Sequence, residues 1–105
     1  MPKKKNISHY RGDTYDATLV IDGYTPVAED VIKFGIRTAF DAEGYLIYKE
    51  IDPLDMKLHL TSEETQNLPE TAVYDAQITF VDTDGVEHTK TFIYGTFKTG
   101  KDVVK

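Results

Sequence analysis

Hydrolysis, group transfer and metal catalysis draw on histidine, carboxylate, serine and cysteine side chains. This chain offers histidine only at His9, His59 and His88, serine only at Ser8 and Ser62, and no cysteine. The histidines fall in separate segments, and none has a second histidine or a carboxylate at metal-ligand spacing on a shared face. His59 and His88 stand among outward-facing polar residues, which makes them exposed strand residues. Neither serine has a nucleophile-elbow or triad context, and no glycine-rich phosphate loop is present. The lack of cysteine removes disulfides, thiolate chemistry and the usual cysteine-based structural zinc sites.

Two short patterns resemble functional motifs. Asp82-Thr83-Asp84-Gly85 opens like a calcium loop, with alternate carboxylates before a glycine, but no glutamate stands at the distal bidentate position, because Glu87 is too close. It reads as a hairpin turn. Arg11-Gly12-Asp13 spells a tripeptide read by integrins, and its bland reading is a glycine marking close approach before a strand. Asp41, Glu43, Glu50, Asp52 and Asp55 could in principle supply an acid–base pair, yet nothing in the sequence builds a cleft around them, so they read as solubilising loop charges. No catalytic residue, metal site or cofactor is expected, and the balance points to binding or assembly rather than catalysis.

The elements that would position such residues are mostly β. At 105 residues the chain suits one domain with one core, and 29% charged with 40% hydrophobic residues is the balance of a folded globular domain. Net charge is −6, which disfavours phosphate backbones and so nucleic acid. No apolar run is long enough to span a bilayer, residues 1–6 lack a signal-peptide pattern, and no membrane partner is expected. Residues 1–10, with Lys3, Lys4 and Lys5, read as a flexible basic tail or as an electrostatic arm reaching an acidic neighbour.

Alternation places Tyr15, Ala17, Leu19 and Ile21 on one face of a strand over residues 14–21, before an irregular crossing loop over 22–30. Ile32, Phe34 and Ile36 face inward from a strand over 31–38, whose hairpin partner covers 45–51. A short strand over 56–60 follows. Thr61 then caps a helix near 62–68, with acidic residues in its first turn and Pro69 beyond its end. Residues 73–81 and 86–94 form a second hairpin, with Tyr74, Ala76, Ile78 and Phe80 inward, and 95–99 are a short edge strand or a continuation. About seven strands with regularly spaced turns point to an antiparallel, immunoglobulin-like β-sandwich as a single domain over 11–105.

Seven tyrosines and five phenylalanines exceed what a simple two-layer core uses. Tyr45 and Tyr48 are expected on opposite faces of their strand, as are Phe92 and Ile93, which leaves apolar area for a subunit interface. Tyr24, Tyr45, Tyr48 and Tyr94 are the expected contacts.

The order of motifs adds a resemblance. It runs through Arg11-Gly12-Asp13-Thr14, Phe34-Gly35-Ile36-Arg37, the stretch from Leu58-His59-Leu60 to Asn67-Leu68-Pro69, Tyr74-Asp75-Ala76-Gln77-Ile78, and Gly95-Thr96-Phe97 followed by Asp102-Val103. It resembles small β-sandwich modules in virion proteins of tailed phages of Gram-positive bacteria, and most nearly the N-terminal domains of baseplate upper proteins and related tail or neck proteins. The similarity spans residues 11–103. Two departures stand out: Tyr24-Thr25-Pro26-Val27 replaces a Leu-Thr-Gly step, and no receptor-binding domain is expected beyond Lys105. The resemblance implies a non-enzymatic structural or docking module of a phage particle, assembled in the bacterial cytoplasm, whose partners are other virion proteins and itself. The alternative is a small acidic inhibitor, encoded by a phage or mobile element, that binds a host protein.

Overall fold

A computed structural model describes residues 2–100; the Asp102-Val103 part of the resemblance lies outside them. The chain is mainly β, with strands β1 (Lys3–Lys4), β2 (Ile7–Tyr10), β3 (Tyr15–Thr18), β4 (Val31–Arg37), β5 (Ile47–Ile51), β6 (Lys57–Leu60), β7 (Thr71–Val81) and β8 (Glu87–Gly100), and one helix, α1 (Ser62–Gln66). The larger sheet runs β1-β8-β7-β4-β5, with β2 also on β8, and the smaller pairs β3 with β6. The two sheets enclose one core, giving a sandwich-like layering.

The expected alternation sets that core. Ile32, Phe34 and Ile36 of β4 are fully buried, as are Tyr74 and Ala76 of β7 and Leu58 and Leu60 of β6. Inward residues of β4 and β7 lie side by side, with Phe34 opposite Ala76 and Ile36 opposite Tyr74. Burying such side chains contributes about 1.5–3 kcal/mol each.

Helix α1 is held by side chains rather than by length. Thr61 accepts from the Glu64 amide while the Glu64 carboxylate accepts from the Thr61 amide, a complete capping box. Lys49 adds an ion pair to Glu64 at 2.8 Å. Burial alone would raise the Glu64 carboxyl, but Lys49 and the Thr61 donors hold it below its ordinary value.

Three features differ from the sequence-based expectation, and one open alternative is decided. The arm expected as a flexible tail carries β1 and β2, which pair with β8 in parallel, Lys4 opposite Tyr94 and Ile7 opposite Phe97. Ile7 is buried in the core, and that apolar side chain, set among polar neighbours, is what the composition of the arm conceals. Of the two expected readings for residues 95–99, the continuation holds: they extend β8 as one long strand. Phe92 and Ile93 are both buried, because a bulge between Ala76 and Gln77 leaves Phe92 unpaired in the register and breaks the alternation there. Met56 precedes β6 in a left-handed conformation, φ 56°, buried at the turn where its amide donates to the Asp52 carbonyl.

Candidate functional site: the outer face of the large sheet

A single cross-strand row crosses the large sheet on the side away from β3 and β6. Lys4 lies beside Tyr94, Tyr94 beside Asp75, Asp75 beside Gly35, and Gly35 beside Tyr48. The same pleat that sends Phe34, Ile36, Tyr74 and Ala76 inward turns this row outward.

Arg37, at the end of β4, organises the region next to the row. Its guanidinium donates to the Tyr45 hydroxyl at 3.0 Å and lies 4.5 Å from the centre of the same ring. It also donates to the carbonyls of Phe40 and Ala42 and sits 3.8 Å from Asp75. Burial pushes the Asp75 carboxyl above its ordinary value, and Arg37 opposes that rise. One cation therefore ties the loop after β4 to the sheet face.

Glycine at 35 makes room for this arrangement. A Cβ there would run into the Tyr45 ring, which lies over the backbone of β4. Tyr45 precedes β5, and the Leu46 amide bonds to the Ile36 carbonyl just before regular pairing begins. Consequently Tyr45 and Tyr48 do not point to opposite faces; their rings converge at 5.3 Å. Phe40 reaches across to Tyr94 at 6.1 Å. Phe40, Tyr45 and Tyr48 are each close to half exposed, at 52%, 46% and 46%, so the cluster is a surface and not a second core.

Of the residues singled out by sequence, the structure brings Tyr45, Tyr48, Tyr94 and Lys4 to this face. Tyr24 lies elsewhere: its hydroxyl donates to Asp30 at 2.6 Å and its ring packs 5.6 Å from Phe80. Lys3 and Lys5 are exposed on the N-terminal strand arm, whose backbone is fixed by the Lys5 amide on the Tyr94 carbonyl and by the Tyr74 hydroxyl on the Lys5 carbonyl. Arg37, Phe40 and Asp75 were not anticipated. The signal available in the sequence was the outward parity of Arg37 on β4 and of Asp75 on β7.

The other motifs have structural roles. The Arg11 guanidinium donates to the carbonyls of Gln66 and Leu68 at the end of α1. The Gly12 and Asp13 carbonyls accept from Ser62 and Thr65. The tripeptide is thus a clasp on the helix, and its arginine is turned inward against the fold. Asp82 accepts from the amides of Asp84 and Val86 and pairs with His88 at 2.8 Å, so its carboxylate is used in closing the hairpin. These bonds, His88 first, hold the Asp82 carboxyl low. His59 pairs with Asp16 at 2.5 Å across β3 and β6. Among the described residues no group of three histidines or carboxylates could hold a metal ion.

Comparison with protein-family models and with curated proteins finds no match to this chain.

Proposed function

We propose that this chain is a non-enzymatic docking module of a phage particle, in its tail, baseplate or neck, and that it meets its protein partner through the outer face of the large sheet. The observation that carries the docking part is the row from Lys4 to Tyr48 with Tyr45, Phe40 and Arg37 against it. Tyrosine and arginine are enriched where proteins bind one another, because they offer large contact area with a polar handle. Here they are held in place before binding, by Arg37 and by ring–ring packing, which lowers the ordering cost of association. The placement within a phage particle rests on the order of motifs in the sequence.

The test is a pair of variants, Tyr48→Ala and Tyr45→Ala, supplied in place of the wild-type chain during particle assembly. Folded variants that fail to enter particles support the proposal. Folded variants that enter at wild-type copy number remove the outer face from it.

A further inference from the structure

The large sheet ends in two edges of unlike charge. At one edge the N-terminal arm carries Lys3, Lys4 and Lys5, all exposed, and among the described residues β1 and β2 have β8 as their only strand neighbour. At the other edge, β5 has only β4 among the described residues. Exposed Glu50 lies on that strand, and exposed Glu63 of α1 lies across an open groove from Ile47, Tyr48 and Lys49. None of Lys3, Lys4, Lys5, Glu50 and Glu63 is ion-paired among the described residues. The cations near the acidic edge are Lys49, already bound to Glu64, and Lys33, one strand inward opposite Glu50.

We infer that a second copy of this chain docks edge to edge, its β5 against the β1–β2 arm of the first, extending the large sheet from one copy to the next. The directions agree. β4 runs parallel to β8 because both are antiparallel to β7, and β5 is antiparallel to β4. A β5 strand laid on β1 and β2, which are parallel to β8, therefore continues the sheet in antiparallel sense, with each backbone edge satisfying the other.

Charge selects this contact over its alternatives. Joining β5 to β5 sets Glu50 and Glu63 against their own copies, and joining β1 to β1 does the same with the lysines. Only the head-to-tail contact brings unlike charges together. Lysine on a strand edge normally discourages pairing; here the opposite edge supplies its counter-charge. A head-to-tail contact is heterologous, so the product is a closed ring or an open filament and not a two-fold dimer. The inference rests on the assembly reading above but uses the sheet edges, not the outer face.

The experiment is sedimentation of the full chain over a concentration series at about 20 mM and about 500 mM salt, on either side of the ionic strength that screens exposed pairs. Oligomers beyond dimer at low salt that dissociate at high salt are expected. The triple variant Lys3→Glu, Lys4→Glu, Lys5→Glu and the double variant Glu50→Lys, Glu63→Lys should each need at least about tenfold more protein to associate. Mixing the two restores assembly, because each then offers the edge the other lacks. Carbodiimide coupling of mixed heavy- and light-isotope chains should link the lysines to Glu50 or Glu63 between copies. Within one copy β5, which carries Glu50, lies four strand spacings from β1, roughly 19 Å and beyond a zero-length link, and for Glu63 of α1 the heavy–light isotope pairs identify the links made between copies. A chain that is monomeric throughout, or oligomers indifferent to charge reversal and without these links, overturns the inference. Particle entry that still depends on Tyr48 would then leave the docking proposal standing, and the reverse pattern would remove the docking face alone.

Discussion

The carbonyl of Lys5 lies where a side chain at residue 95 would begin: a Cβ on Gly95 would run into that carbonyl, with the Asn6 side chain close behind. The Asn6 side chain also accepts from the Thr96 amide, and the Lys5 amide reaches the Tyr94 carbonyl. Gly95 is therefore the crossing point at which the arm passes from β1 to β2 while remaining on β8.

Replacing Gly95 with alanine drives a methyl into the Lys5 backbone carbonyl, a contact with no flexible end to yield. The expected loss is roughly 1–3 kcal/mol, read from urea unfolding. Hydrogen exchange should quicken at Ile7 to Tyr10 more than in β4, since the arm is the part displaced.

Gly35→Ala makes the contrasting case. Its new methyl meets the Tyr45 ring, which can swing away, so stability should change by less than about 1 kcal/mol. The Tyr45 hydroxyl would leave Arg37, and partner binding should weaken while the melting transition stays close to that of the wild type.

Arg11→Ala removes the donor to two carbonyls at 2.9 and 2.6 Å. Charge-assisted bonds of this kind contribute about 1.5–3 kcal/mol, and the loss should fall on the α1 region. Both bonds come from the one nitrogen Nη1, so Arg11→Lys, whose ammonium also carries several donors but on a shorter stem, recovers part of it. Chemical denaturation of the three proteins checks the order wild type, lysine, alanine.

His9 bears on acid stability. Both ring nitrogens are buried without a hydrogen-bond partner, and the ring packs edge-on against Tyr15 and Phe97. Burial pushes its pKa below the ordinary 6.5. The unfolded chain thus takes up this proton more readily than the folded one. The stability due to a neutral His9 is present above about pH 6.5 and declines as the pH falls through that value toward the lowered folded pKa. His9→Phe should lose less stability than the wild type between about pH 7.5 and about pH 5.5, a window set by this group and above the ordinary carboxylate range. Urea midpoints at the two pH values check it, and the other histidines, common to both proteins, cancel in the difference.

Strand content was legible wherever one face is buried. The inward sets of β4 and β7 follow from period two, and the start of α1 follows from the Thr61 hydroxyl ahead of acidic residues. The arm was not legible, because a run of lysines beside a single buried isoleucine has the composition of a solvated tail. What orders it is tertiary: a crossing glycine 90 residues away, the Tyr74 hydroxyl and the open edge of β8. The site was half visible for a related reason. The surplus of aromatics singled out Tyr48 and Tyr94, but the convergence of Tyr45 on Tyr48 depends on an irregular step at Leu46 and on the missing side chain of Gly35.

The most direct test of the docking account is quantitative peptide mass spectrometry on gradient-purified phage particles from the source host. The account predicts several copies of this chain per particle. Its absence from particles, alongside its presence in the lysate of infected cells, would contradict the account and favour an inhibitor acting on a host protein.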